Sequence, residues 1–141
     1  MDKFNSEGYA DLMAYEALVK IEQEERAARK AANFRPLVYI CSPYSGNTEF
    51  NANNARIYSR FAVAKGTIPL APHLLFPQFM SEEHERSLVL FMGSVLLGKC
   101  KEVWVFGDTM SDGMKIETAK AKKMGKVIRY FNEELEEIQC S

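Results

Sequence analysis

An apolar run, a polar turn and a helix with a single acidic residue form the stretch of the chain best suited to chemistry. The run is 103–106 (VWVF), the turn is 107–113 (GDTMSDG), and Glu117 falls near the start of the helix. In an open parallel sheet such a turn lies at the carboxyl end of a strand, where ligands bind and helix N-termini present free N–H groups. A carboxylate beside that pocket can attack or stabilise an electron-poor carbon.

Alternating strands and helices are predicted to position this turn. Apolar runs at 37–41, 67–70, 103–106 and 126–131 predict strands, and helical patterns lie between them at 51–65, 86–98 and 114–125. Ile116, Ala119 and Met124 are predicted to mark the inward face of the last of these helices. The alternation predicts an α/β fold, an open parallel sheet of about four to five strands sandwiched by helices in a Rossmann-like or flavodoxin-like arrangement.

The N-terminal part of the chain is predicted to be a helical appendage, residues 1–35, preceding an α/β domain at 36–141. Its helix, from about residue 9 to 33, ends before Pro36, since a residue that precedes proline disfavours the helical region. The second half of this helix is almost wholly polar or alanine. It is expected to pack on the domain, with pairing to another subunit or recruitment of a partner as the alternatives.

The sequence also predicts the structure of three further segments. Prolines at 69, 72 and 77 predict an irregular apolar loop, either a lid or pocket wall or a loop pinned to the core. The helix at 86–98 is apolar on nearly every side, which predicts that it lies between the sheet and another surface, such as a second subunit. A short acidic helix is expected from Asn132 onwards.

Composition excludes several classes of function. The 141 residues fit one domain, 47% are hydrophobic and 26% charged, and the net charge of −1 argues against binding of nucleic acid polymers while leaving small phosphorylated ligands possible. The three cysteines lack metal or disulfide spacing, and His73 and His84 are not at ligand spacing, so no metal or cofactor is expected. Without a signal-peptide pattern or a long apolar run, a cytoplasmic protein with no membrane partner is predicted.

Four segments taken together resemble a known enzyme superfamily. VYIC-SPYSG at the first strand, ARIYSR in the next helix, IPLAPH at the second strand and SDGMKIE after the third are similar to the nucleoside 2-deoxyribosyltransferases. The likeness spans residues 37–131 and is strongest to a small bacterial and phage branch and to the deoxynucleoside monophosphate N-glycosidases. It implies cleavage or transfer at the N-glycosidic bond of a nucleoside or its 5′-monophosphate, in a homodimer or larger homo-oligomer.

The resemblance also implies roles for individual residues. Glu117 corresponds to the nucleophile, Tyr39 to the strand tyrosine beside it, and Ser111 to a serine that contacts the 5′-phosphate in the monophosphate-specific branch. The loop after the first strand corresponds to a substrate-binding loop and His73 to a polar group after the second strand. The expected substrate-binding set is therefore Ser42, Pro43, Tyr44, Ser45, Gly46, His73, Ser111, Asp112 and Gly113.

One position departs from the superfamily pattern. Its members usually carry an aspartate in the helix before the third strand, which supports proton delivery to the leaving base, and here that place holds Gly93 and Ser94. Asp108 is therefore assigned as a catalytic candidate, with Asp112 as another possible substitute. The alternative is a protein that binds or sequesters a nucleotide on the same fold without cleaving it.

Overall fold

The computed structural model describes residues 9–139, with side chains for 11–30 and 33–139. The chain divides between Phe34 and Arg35 into two compact units. The first contains helix α1 (Tyr9–Ala32), whose last turn carries Arg29 and Lys30, charges that complement the negative end of the helix dipole. Residues 1–8 of the predicted extension and Cys140 lie outside the described residues.

The second unit is built on a five-stranded sheet. Its strands are β1 (Leu37–Cys41), β2 (Ile68–Leu70), β3 (Glu102–Phe106), β4 (Val127–Phe131) and β5 (Glu137–Ile138). They lie in the order β2-β1-β3-β4-β5, with the first four parallel and β5 antiparallel to β4. Pro69 falls in the edge strand β2, where a missing backbone N–H is tolerated. The predicted α/β fold is confirmed.

Four helices connect the strands of this unit: α2 (Thr48–Ala64), α3 (Pro72–Leu75), α4 (Arg86–Lys99) and α5 (Asp112–Lys123). Helix α2 begins at Asn47, whose side chain accepts a hydrogen bond from the Phe50 N–H at 3.1 Å. It stops at Gly66, which adopts a φ of 88°, a left-handed conformation that favours glycine.

Side chains that alternate along the strands divide the core between two faces of the sheet. Val38, Ile40 and Trp104 pack with Tyr58 and Ala62 of α2 on one face. The other face packs against α4 and α5 and contains Tyr39, Cys41, Val103, Val105, Leu97, Met114 and Ala121. Helices α2 and α5 therefore leave the adjacent strands β1 and β3 toward opposite faces. This arrangement opens a crevice at the carboxyl ends of these strands, where open sheets bind ligands.

The inward face of α5 differs from the predicted one. Ile116 and Met124 are 50% and 45% exposed, whereas Met114, Thr118 and Ala121 are buried. The buried residues follow the four- and three-residue spacing of a different helix face. The actual face leaves Glu117 beside the buried row, close to β1.

The segment after β2 was predicted to be irregular over most of its length, and its first part instead forms two short helical turns. Pro72 occupies the first turn of α3, and Pro77 lies in the short 3₁₀ turn Phe76–Gln78 that follows. Proline at the start of a helical turn costs no hydrogen bond, because the first N–H groups have no partner within the helix. Two consecutive short turns therefore accommodate the prolines and form part of a pocket wall.

The expected acidic tail helix is also absent from the described residues. Asn132 Oδ1 accepts hydrogen bonds from the N–H groups of Glu134 and Glu136 at 3.0 and 2.9 Å, and Leu135 adopts a φ of 65°. This turn reverses the chain into β5, where Glu137 receives two hydrogen bonds from Arg129. No helix in residues 9–139 is both long and apolar enough to cross a membrane.

Candidate active site

A cavity of about 500 Å³ opens at the crevice between β1 and β3. This volume lies within the range of about 300–1,000 Å³ that small-molecule sites occupy. Its walls come from the loop after β1, from α3, from the segment before α4, and from facing sides of α4 and α5. The cavity brings together most of the predicted site residues, namely Tyr39, Ser42, Tyr44, Ser45, His73, Ser111, Asp112, Gly113 and Glu117.

Three predicted site residues are not among those that line the cavity. Pro43 and Gly46 belong to the loop after β1 but contribute no lining surface. Asp108 is exposed, and its charge acts on Tyr58, which packs on the α2 face of the sheet. Asp108 is therefore close to the α2 face of the sheet and not to the cavity, and no catalytic role is assigned to it.

A hydrogen bond between Tyr39 and Glu117 lies at the deep end of the cavity. Tyr39 is only 4% exposed, and its hydroxyl donates to the Glu117 carboxylate. Burial, followed by the charge and hydrogen bond of Glu117, raises the pKa of Tyr39 far above its ordinary value. The hydroxyl therefore remains protonated and serves as a donor that orients the carboxylate.

Opposing effects act on the Glu117 carboxylate. Burial raises its pKa above the ordinary value of 4.5, while the Tyr39 hydrogen bond and the charges of His73 and Lys120 offset part of this rise. Glu117 keeps some accessible surface because it opens onto the cavity, but protein surrounds its other sides. Such a carboxylate is poorly solvated and held in one orientation, two properties that suit a nucleophile.

Helix α4 faces this pair with small residues. A side chain at Gly93 would begin 3.8 Å from the Tyr39 hydroxyl, so this position looks directly onto the Tyr39–Glu117 pair. Beside it, Ser94 Oγ accepts a hydrogen bond from Lys120 Nζ at 2.6 Å and donates to the Leu90 carbonyl at 3.0 Å. A lysine ammonium, held one helical turn after Glu117, therefore occupies the region next to Gly93.

The loop after β1 is held by hydrogen bonds from α2. Asn51 Nδ2 donates to the carbonyls of Tyr44 and Ser45, both at 3.0 Å, and Ser42 is buried at the carboxyl end of the strand. The Tyr44 ring stacks on the His73 imidazole, with 4.6 Å between ring centroids and 15° between planes. The first loop and α3 thus form one aromatic wall of the cavity.

The N-terminus of α5 supplies a second polar wall. Ser111 is the N-cap residue, and its Oγ accepts a hydrogen bond from the Met114 N–H at 3.2 Å. The proton of this hydroxyl remains available to a ligand. Asp112 and Gly113, the first two residues of the helix, line the cavity as well, and the free N–H groups of a helix N-terminus favour an anionic group.

Several lining residues were not predicted from the sequence. Glu82 lies in the segment before α4, and Arg86 is the first residue of that helix. Ser94 of α4 and Lys120 of α5 lie on the facing sides of the two helices. The spacing of Glu117 and Lys120, three residues apart on a helix, was a usable signal that both face the same side. The sequence gave no such signal for Glu82, because its position in the cavity depends on how the segment after α3 folds.

The cysteines of the described residues are buried free thiols rather than nucleophiles. Burial, and then the charge of Glu117, raises the pKa of Cys41, and burial raises that of Cys100 to about 11. Within residues 9–139 no cluster of three or more His, Cys, Asp or Glu side chains could hold a metal ion. Acid–base and nucleophilic chemistry by carboxylates and histidine is what the cavity offers.

Comparison with known proteins places this geometry among related folds. A solved structure of a 2-deoxyribosyltransferase from the psychrotolerant bacterium Bacillus psychrosaccharolyticus superposes with a TM-score of 0.51 and 21% sequence identity. The match covers 73% of this chain and 77% of that enzyme. At this identity the likeness establishes a shared fold. No curated protein matches the chain.

Sequence comparison assigns the α/β unit to a family. Residues 36–131, which span β1 to β4 and every wall of the cavity, match a family described as a domain of unknown function (DUF7768). The match extends over more than half of the chain and stops short of α1. The chain therefore belongs to the DUF7768 family.

Proposed function

We propose that the protein cleaves or transfers at the N-glycosidic bond of a deoxynucleoside or its 5′-monophosphate, with Glu117 as the nucleophile. The observation that carries this proposal is the buried Glu117 carboxylate, hydrogen-bonded by Tyr39 at the end of a ligand-sized cavity. The fold shared with a 2-deoxyribosyltransferase supports the same reaction class.

The reaction requires a carboxylate beneath an electron-poor anomeric carbon. A Glu117 oxygen attacks C1′ as the C1′–N bond breaks, the bonding electrons leave with the base, and the base takes up a proton. Water or a second base then attacks C1′ of the glycosyl ester and restores the carboxylate. Tyr39 holds the attacking oxygen in place during both steps.

A 5′-monophosphate is the proposed form of the substrate. Its phosphate would lie at the N-terminus of α5, where the Ser111 hydroxyl and the first helical N–H groups face the cavity. Arg86 lines the same cavity and contributes a positive charge. The negative charge of the Asp112 carboxylate disfavours a phosphate at this position. The ratio of monophosphate to nucleoside turnover measures whether the phosphate contributes to binding in spite of it.

The direct test is chromatographic detection of free base after incubation with a panel of deoxynucleosides and their 5′-monophosphates. We expect release by the wild type and a loss of at least about a thousandfold in Glu117→Ala, as for other removed nucleophiles. Glu83→Ala, an exposed residue that does not line the cavity, is the matched control and should keep full activity. Release at an equal rate by wild type and Glu117→Ala would contradict the proposal.

A second candidate is a protein that binds a nucleotide without cleaving it. The observation in its favour is the α4 wall, which offers no carboxylic acid to protonate a leaving base. Gly93 faces the Tyr39–Glu117 pair there, and the Lys120–Ser94 hydrogen bond occupies the adjacent space. Calorimetry separates the two candidates. Tight binding of deoxynucleotides with no base released over a long incubation would favour this second function.

A further inference from the structure

A cluster of Tyr44, His73 and Glu82 lies in the same cavity as the Tyr39–Glu117 pair. His73 Nδ1 lies 3.5 Å from Glu82 Oε1, and both side chains keep a limited exposure, 25% and 20%. The parallel Tyr44 ring fixes the plane of the imidazole. The cluster joins the loop after β1 to α3 and to the segment before α4, and attack by Glu117 does not use it.

One atom of this cluster lacks a hydrogen bond. Of the buried side-chain nitrogen and oxygen atoms that the structure describes, His73 Nδ1 is without a hydrogen-bond partner. The Glu82 carboxylate is at ion-pair distance but not in hydrogen-bond geometry. Leaving a buried polar group unpaired costs about 1–3 kcal/mol, and catalytic hydrogen bonds are often long until a ligand binds. An unpaired atom facing a carboxylate in a cavity therefore points to a functional site.

The cluster is close enough to Glu117 for their charges to interact. His73 and Glu82 both act electrostatically on the Glu117 carboxylate, in opposite directions. All three side chains line the same cavity. A nucleoside with C1′ at Glu117 would therefore extend its base toward the aromatic wall formed by Tyr44 and His73.

On the basis of the proposed function, we infer that His73 delivers the proton to the leaving base and that Glu82 is the positioning residue that holds it. When a bound substrate brings Nδ1–H into a hydrogen bond with the Glu82 carboxylate, the ring presents Nε2–H to the base. Proton delivery then comes from residues outside α4, because Gly93 and Ser94 in α4 have no acidic group to supply it.

The proton balance closes over the two steps. As the C1′–N bond breaks, the imidazolium of His73 gives its Nε2 proton to a ring nitrogen of the base and becomes neutral. Water that attacks the glycosyl ester then gives a proton back to Nε2, and the C1′–O bond to Glu117 breaks. The products are free base and sugar, with both side chains restored.

The test compares leaving groups of different basicity. Within the base class that the wild type releases, kcat/KM is measured for a series from the ordinary base to electron-poor derivatives, such as halogenated pyrimidines or an N7-methylated purine. We expect His73→Gln to lose about 100-fold on the ordinary base but less than about tenfold on the derivative that leaves without a proton. Glu82→Gln should show the same selectivity with a smaller loss.

Three variants serve as controls for this series. His84→Gln and Glu83→Gln replace exposed residues of the same types that do not line the cavity, and both should match the wild type. Glu117→Ala should lose activity on every leaving group alike. If His73→Gln fails to fold, the isosteric Glu82→Gln variant carries the test alone.

The outcomes separate this inference from the proposed function. A uniform loss across the series in His73→Gln and Glu82→Gln, or no loss at all, overturns the inference while leaving Glu117 as the nucleophile. A wild type that releases no base from any member removes the reaction itself and the inference with it.

Discussion

Glu117 illustrates how a single side chain can destabilise the fold and still suit the proposed reaction. Burial of its carboxylate disfavours the charged form, and the Tyr39 hydroxyl and the Lys120 ammonium recover only part of that cost. The folded-state pKa therefore lies above the value in the unfolded chain. Such a group lowers stability wherever it is ionised, a common property of catalytic carboxylates.

The pH dependence of stability tests this account of Glu117. A raised folded-state pKa means that the folded protein binds the proton more tightly, so stability is greatest below the unfolded pKa and falls as pH rises through the folded value. Glu117→Gln mimics the protonated form. We expect it to raise the Tm at about pH 8, with the gain vanishing near about pH 4, where both forms are neutral.

Thermal unfolding across this pH range provides the measurement. Glu83→Gln, at an exposed position, should show no pH-dependent gain. A Glu117→Gln variant that is less stable than the wild type at about pH 8 would mean that the charged form of Glu117 is the favoured one, contrary to the account.

The residue scale also marks the limit of prediction from sequence. Glu117 was predicted from the sequence because the strand, turn and helix that carry it are continuous in the chain, and it does line the cavity. Glu82 and Arg86 lie after two proline-containing turns whose path depends on tertiary packing, and no local pattern indicates where such side chains point. Asp108 was assigned as a substitute for the missing superfamily aspartate, but it is exposed and does not line the cavity.

At the scale of elements, Ser111 at the start of α5 combines a structural role with a proposed binding role. Ser111 caps the helix through its oxygen and offers its proton to the proposed phosphate. Ser111→Asp separates these roles, since aspartate caps as well as serine but repels a phosphate. We expect little change in Tm and a loss of about tenfold or more in turnover of monophosphates relative to nucleosides.

The comparison variant is Ser111→Ala, which removes the cap and should cost about 1 kcal/mol of folding free energy. Base release from matched pairs of nucleoside and monophosphate gives the ratio. If Ser111→Asp reduces the turnover of nucleosides and monophosphates equally, the phosphate does not lie at this helix terminus.

Strands were easier to predict than the faces of the helices. The strands β1, β3 and β4 are short runs rich in apolar residues, and β1 and β3 are buried in the centre of the sheet. The predicted positions of all three are confirmed to within a residue at each end. The face of α5 and the turn that leads into β5 depend on packing partners. An Asn132 side chain that accepts two backbone N–H groups, for instance, outweighs the helix propensity of the acidic residues after it.

At the scale of the whole molecule, the outer side of α4 is unusually apolar. Leu88, Leu90, Phe91 and Val95 are 49%, 48%, 64% and 45% exposed, and Leu90 also lines the cavity. Contiguous exposed apolar surface of this kind marks interaction sites. We propose that a second copy of the chain covers this face, which would also close the cavity from outside.

Light scattering tests this association. We expect a dimer or larger assembly at micromolar concentration for the wild type, and a monomer for Phe91→Glu, because burying an unpaired carboxylate in an apolar contact costs several kcal/mol. Ile57→Glu, at another position of α2 that is more than half exposed, should leave the mass unchanged. A wild-type monomer at this concentration would contradict the proposed contact.

Trapping the sugar on Glu117 tests its role as the nucleophile most directly. A deoxynucleotide analogue with fluorine at C2′ slows breakdown of the glycosyl ester, because it destabilises the oxocarbenium-like transition state. Peptide mass spectrometry of protein treated with the fluorinated form of the best substrate should then locate the added sugar on the peptide containing Glu117, with no adduct in Glu117→Ala. Turnover of substrate accompanied by a sugar adduct on any other residue would contradict the account.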